Sequence, residues 1–157
     1  MNGLLKYEMK LILIRHAESL KNAGMRRKGL KNGLSLDGEK QAKELAKKLK
    51  NINIDCIYCS PTIRCKQTLE EILKIRDDEM LIHLSKLIDQ KRIDEDMEFF
   101  QKKIGLFLDD LKYDHSEEDV VLVISHMMTL GTLLSLLKKE TRILENGEIV
   151  EIEVKKD

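Results

Sequence analysis

The run Leu11-Ile12-Leu13-Ile14, ending at Arg15-His16, constrains this chain more than any other stretch. It is too short for a helix and apolar at every position, the pattern of a strand covered on both faces. A second run, Val120-Val121-Leu122-Val123-Ile124, ends in the same way at Ser125-His126. Open α/β sheets expose reactive groups just beyond the carboxyl ends of their strands. Two histidines leaving two buried strands therefore point to one shared crevice.

The segments between these strands alternate between helical and extended patterns. Ala42, Leu45, Ala46 and Leu49 recur at helical spacing among lysines and glutamates, so 36–49 reads as an amphipathic helix with one face on a sheet. A strand follows at Asp55–Cys59, and Ser60-Pro61 then pairs a capping residue with a first-turn proline. The helix opened there is expected to run to Leu73, burying Cys65, Leu69, Ile72 and Leu73. Met80–Leu84 reads as a third strand, and Glu95–Leu111 as a helix with Met97, Phe100, Ile104, Leu108 and Leu111 inward. An apolar helix over Thr129–Lys138 follows the 120–124 strand. Asn146-Gly147 is a hairpin signal, after which Val150, Ile152 and Val154 alternate with glutamates in a half-exposed strand. The pattern implies an α/β fold, a three-layer α/β/α sandwich with a mostly parallel central sheet, formed by one domain over 1–157. Residues 1–9 read as an N-terminal extension, with Met9 an alternative start directly before the first strand.

Composition narrows the partners. Lys+Arg and Asp+Glu both number 28, so no basic field speaks for nucleic acid. The apolar runs fall short of the ~20 residues of a membrane span, and the N-terminus lacks a signal-peptide layout. Three cysteines, an odd count, fit reduced thiols in a cytoplasmic protein. Cys56 and Cys59 lie three apart in a strand, so they face opposite sides of the sheet and read as core, not as half a metal site.

With the strand ends on one edge, Arg15, His16, Ser60, Arg64 and His126 converge, Arg64 from the first turn of its helix. Two arginines, two imidazoles and a helix N-terminus suit a tetrahedral dianion. Neutral imidazole is a competent nucleophile toward phosphorus, so the constellation points to phosphoryl transfer through a phosphohistidine.

Four segments carry a family resemblance. These are Leu13-Ile14-Arg15-His16-Ala17-Glu18-Ser19 with Asn22; Leu34-Ser35-x-x-Gly38-x-x-Gln41-Ala42; Cys59-Ser60-Pro61-x-x-Arg64-Cys65-x-Gln67-Thr68; and Val121–His126. In type and order they resemble the histidine phosphatase (phosphoglycerate mutase-like) superfamily, and in length its short phosphatases. The resemblance implies a phosphoglycerate mutase-like fold, with His16 as nucleophile and Arg15 and Arg64 clamping the phosphoryl oxygens. It implies further that His126 binds the same group as an imidazolium and that Asn22 adds a hydrogen bond. Leu87-Ile88-Asp89 is similar to the family's acid-bearing segment, which would make Asp89 the general acid. No metal and no cofactor is called for, because the Arg/His cluster supplies the positive charge.

Several residues depart from the pattern. Ala17 and Met127 stand where glycine is usual, each adding a side chain near the pocket floor. His83 and His115 match nothing and read as a strand or rim residue and a loop residue. Arg26, Arg27 and Lys28 either select an anionic substrate or form a solvated basic loop.

The expected activity is a metal-independent phosphatase acting on a small phosphorylated metabolite or a phosphohistidine protein. A phosphoglycerate mutase is the first alternative, disfavoured because only about 50 residues separate Thr68 from Asp119, too few for a large lid. A non-catalytic phospholigand-binding module is the second, permitted by Ala17 and Met127.

Overall fold

The computed structural model describes residues 8–26, 29 and 31–155. Its sheet has five strands in the order β3-β2-β4-β1-β5. These are β1 (Met9–Arg15), β2 (Cys56–Cys59), β3 (Leu81–Leu84), β4 (Val120–Ser125) and β5 (Ile149–Val154). The first four run parallel, and β5 pairs antiparallel with β1. Helices α1 (Leu36–Leu49), α2 (Ile63–Lys74), α3 (Met97–Asp114) and α4 (Met127–Leu136) supply the two outer layers.

The continuous apolar runs are explained by burial on both faces. Ile12, Ile14, Ile57, Leu122 and Ile124 face α1 and α2, where Leu45, Leu49, Leu69 and Ile72 close the core. Leu11, Leu13, Val121 and Val123 face α3 and α4, against Phe100, Ile104, Phe107, Leu130 and Leu133. Cys56 lies in the second cluster and Cys59 in the first, on opposite faces as their spacing predicts. All three cysteines are free and buried. Among the described residues, no helix is long and apolar enough to cross a membrane.

Some boundaries differ from expectation for identifiable reasons. Met9 is already part of β1 and buried, paired with Val154, so the extension ends before it; residues 1–7 lie outside the described residues. Thr62, not Ser60, holds the N-cap position of α2, without a side-chain capping bond: the Ser60 N–H continues the sheet by donating to the Ile124 carbonyl, and its hydroxyl is committed elsewhere. α3 begins behind Asp96, whose side chain accepts the Glu98 N–H, and this leaves Met97 in the first turn and exposed. α4 starts at Met127, directly behind His126. The Asn146-Gly147 turn forms, with Gly147 at φ +72°, but it delivers β5 to the far side of β1 instead of joining two consecutive strands. His115 is the buried C-cap of α3, not a loop residue.

Candidate active site

Register places the site. β1 and β4 run parallel with Ile14 opposite Ile124 and Arg15 opposite Ser125, so His16 and His126 leave the sheet side by side. The His16 N–H donates to the Ser125 carbonyl at 3.1 Å, and the two imidazole centroids lie 5.3 Å apart, edge to face. On the other flank of β4, Cys59 lies opposite Ile124, which brings Ser60 to the same level. Arg64 enters from the first turn of α2.

The hydrogen bonds fix the tautomer of His16. Its Nδ1 lies 2.7 Å from the Ala17 carbonyl, an acceptor only, so Nδ1 carries the proton. Nε2 receives the Arg64 Nε–H at 3.3 Å and therefore presents a lone pair. Burial, offset in part by the Ala17 carbonyl and reinforced by Arg64 and Arg15, lowers the His16 pKa to about 4. A neutral, oriented imidazole is the form a nucleophile needs.

His126 carries the complementary arrangement. Arg64 Nη2 donates to its Nδ1 at 3.2 Å, and its Nε2–H points at Ser60 Oγ, 2.9 Å away. Burial first, then the fields of Arg64, His16 and Arg15, lower its pKa to about 2. Among the protein's own groups His126 is thus neutral; three positive or potentially positive neighbours outweigh a nearby carboxylate. That carboxylate is Asp89, with Oδ1 3.7 Å from Nε2 and 3.4 Å from Ser60 Oγ. Burial and mutual repulsion also lower the pKa of Arg15, whose Nη1 donates to the Leu144 carbonyl while its buried Nε has no partner. The cluster holds surplus donors and surplus positive charge, and the start of α4 adds its dipole.

The loop after β1 is held by residues far away in sequence. Thr68 Oγ1 accepts the Ala17 N–H at 3.1 Å, Gln41 Oε1 the Glu18 N–H at 2.9 Å, and Gln67 Oε1 the Leu34 N–H at 2.7 Å. Ser35 caps α1 by accepting the Gly38 N–H and also donates to the Glu18 carboxylate at 2.7 Å. Gly38 is needed because a Cβ there would sit 2.0 Å from the Glu18 carbonyl oxygen. These polar residues therefore brace the loop that follows His16. The Ala17 methyl packs with Leu34 and Ala42 in the core, contrary to the expected intrusion on the pocket floor, whereas Met127 does line the pocket.

A cavity of about 360 Å³ opens over the cluster, lined by Arg15, His16, Arg64 and His126 with Asn22, Lys21, Lys91 and others on its rim. Among the described residues four fixed cations line it and no carboxylate does. The Asn22 carboxamide oxygen accepts from Ser19 and from Asn146 Nδ2, which leaves its NH₂ for a ligand. Asp89 stands behind His126 and outside the lining, while its neighbour Gln90 lines the wall and accepts from Arg64 Nη2. Gln90, Lys21, Lys91 and the bracing Asn146, which also donates to the His16 carbonyl, were not legible as site residues. Asn146 lies 130 positions from His16, and its turn signal masks its second role. Arg26 is exposed and its field reaches Arg64; Arg27 and Lys28 lie outside the described residues.

The profile of the histidine phosphatase superfamily (branch 1) matches residues 11–90. The chain is 46% identical over 66 residues to the protein named Probable phosphatase C1620.13 of Schizosaccharomyces pombe, covering 41% of this chain and 23% of that one. It is 45% identical over 74 residues to Phosphoserine phosphatase 1 of Hydrogenobacter thermophilus, covering 46% of this chain and 35% of that one. The matches thus span about a third or less of the curated relatives' lengths. The crystal structure of a phosphoglycerate mutase from Bacillus anthracis superposes with a TM-score of 0.80 at 18% identity, covering 96% of this chain and 91% of that one. The fold is therefore phosphoglycerate mutase-like.

Proposed function

Since the chain belongs to the histidine phosphatase superfamily, we propose that it is a metal-independent phosphatase working through a phosphohistidine on His16. The observation that carries the reading is the His16 imidazole, fixed by the Ala17 carbonyl with its Nε2 lone pair among guanidinium groups.

A phosphate monoester dianion enters the cavity and is held by Arg15, Arg64 and the amide of Asn22. His16 Nε2 attacks phosphorus in line, and the P–N bond forms as the ester P–O bond breaks. Asp89 turns from its place behind His126 into the cavity and hands a proton to the leaving oxygen. In the second half a water attacks the phosphohistidine and returns a proton to Asp89. The P–N bond breaks, releasing inorganic phosphate and neutral His16. The bound dianion draws a proton onto His126, which then donates to a phosphoryl oxygen. Positioned positive charge is what a loose phosphoryl-transfer transition state requires.

Hydrolysis is preferred over transfer to a second substrate because the segment between α2 and β4 is taken up by β3, a 3₁₀ turn and α3. The substrate is a small phosphorylated metabolite or a phosphohistidine protein. The rim lysines Lys21 and Lys91 favour a small ester bearing a second anionic group.

The test is turnover of an aryl phosphate by wild type and His16→Ala in EDTA, with acid and base quenches of the labelled enzyme. Turnover by wild type alone, with base-stable and acid-labile label, is the expected result. Equal rates in both proteins would remove His16 from the chemistry. Tight phosphate binding without turnover of any ester would turn the reading to a phospholigand-binding module.

A further inference from the structure

The two faces of α3 follow different rules. Phe100, Ile104, Phe107, Leu108 and Leu111 point into the core. On the outer face Phe99, Leu106 and Tyr113 are 58%, 56% and 88% exposed. They recur every seven residues, and at about 100° per residue they fall within about 40° of one another, so they form one stripe along the helix. Large apolar side chains scattered singly over a surface need no explanation; an aligned row of them, two aromatic, does. Charge is ordered along the stripe as well. Lys102 and Asp109 follow one side of it, and Lys103 and Asp110 follow the other. The lysines have partners within their own copy: Glu98 lies 3.5 Å from Lys102, and Glu95 pairs with Lys103. Asp109 and Asp110 make no ion pair among the described residues.

We propose that this face docks a second copy of the chain, α3 packing antiparallel on α3 about a twofold axis at Leu106. Register supports self-pairing. Phe99 and Tyr113 stand equally far from Leu106 on its two sides, so with Leu106 opposite Leu106 each copy's Phe99 meets the other's Tyr113. All three lie within α3, so the pairing holds over continuous helix. Charge agrees with the direction. A twofold axis across the helix pair leaves each flank of the stripe facing the same flank of the second copy. Lys102 therefore meets Asp109 of the second copy, and Lys103 meets Asp110, each offset along the axis by only the ~1.5 Å rise of one residue. Parallel packing would instead set lysine on lysine and aspartate on aspartate. The two aspartates without an ion pair in one copy thus find cations in the other, which fixes orientation as well as partner.

One face of an 18-residue helix buries less than the ~1,200 Å² of a standard interface, which implies a micromolar dimer. Sedimentation of the full chain from about 1 to about 200 µM is expected to show the mass rising from 18.2 kDa toward twice that value. Leu106→Lys, which sets two ammonium groups at the axis, should weaken association at least about tenfold. Its melting curve should not change, because Leu106 is exposed in the single copy and lysine is as good a helix former as leucine. Introduced thiols read the register, since the protein's own cysteines are buried. With oxidised glutathione, Leu106→Cys should link to itself, and Phe99→Cys should link to Tyr113→Cys in a mixture of the two. Phe99→Cys alone should link far more slowly. A monomer at about 200 µM would give the stripe to a partner of another kind and overturn the proposal. A dimer indifferent to Leu106→Lys, or Phe99→Cys linking to itself as fast as to Tyr113→Cys, would overturn it as well.

Discussion

His115 and His16 are both buried on the same sheet, yet their surroundings are built on opposite principles. Around His115 every partner is matched: Tyr58 Oη lies 2.7 Å from Nε2, and Asp119 Oδ2 lies 3.0 Å from Nδ1. Asp119 also accepts from the Ser116 N–H and hydroxyl. Burial, the largest influence, pushes the Asp119 carboxyl up, but the hydrogen bonds from Ser116 and His115 together hold it below the usual range. Around His16 the partners repel. Arg15, Arg64 and His126 crowd one cavity, and their neighbours lower one another's pKa. A closed network stabilises the fold; an open, like-charged one is poised for an anion it does not itself contain.

The sharpest way to break this contrast is Arg64→Ala. Turnover is expected to fall about 10²–10³-fold, because one donor to the transferring group is lost. The melting temperature should hold or rise, because a buried like charge is removed as well. Steady-state kinetics and calorimetry on one preparation check both. A fall of several degrees would show that Arg64 serves the fold first.

Proton uptake measures the same repulsion directly. The folded-state pKa of His16, about 4, lies below its ordinary 6.5. The unfolded chain therefore takes its proton first, and stability present above pH 6.5 is lost as the pH falls toward 4. His126, lowered to about 2, extends that loss to lower pH. In histidine NMR titrations His16 should show a midpoint near 4 and His126 none above 3. Saturating vanadate should raise both midpoints. A His16 midpoint near 6.5 without ligand would contradict the electrostatic account.

His115→Ala tests the closed cluster. It leaves the Tyr58 hydroxyl buried without its partner, which costs about 1–3 kcal/mol, a drop of roughly 3–10 °C at this size. kcat should stay within about twofold, since the two clusters share no side chain. Adding Tyr58→Phe should restore part of the loss, because the orphaned hydroxyl then disappears. A large loss of kcat at unchanged stability would place His115 in the chemistry.

Much of this difference was legible in the sequence, and its limits are physical. The apolar runs ending at His16 and His126 announced buried parallel strands, and the order of the four motifs brought Arg15, His16, Arg64 and His126 together. The matched histidine was not legible, because Tyr58, His115 and Asp119 meet only through the packing of α3 on β2. The same holds for Asn146 and Gly147, which reach the backbone carbonyls of Arg15 and His16 across the β1–β5 pairing. Ser60 misled for a different reason. Its identity fits a helix cap, but its hydroxyl is taken by His126 and the cap moves two residues on. Sequence pattern reports burial period well; it does not report which of two polar partners wins a side chain.

The rim extends the open cluster toward solvent and carries its smallest expected effect. Lys91 is half-buried at the mouth of the cavity and donates to the Arg92 carbonyl, and Lys21 stands exposed across from Asn32. Neither belongs to the Arg/His cluster proposed to hold the phosphate, so their pull on a ligand passes partly through water and is screened by salt. Lys91→Ala should raise KM about two- to fivefold for a phosphate ester that also bears a carboxylate. It should leave KM for phenyl phosphate and kcat for both unchanged. The gap between the two esters should close as ionic strength rises, because a rim charge is screened where the buried guanidinium groups are not. If Lys91→Ala weakens both substrates equally, the surplus charge at the mouth serves the phosphate itself, and the boundary between cluster and rim moves outward by one residue.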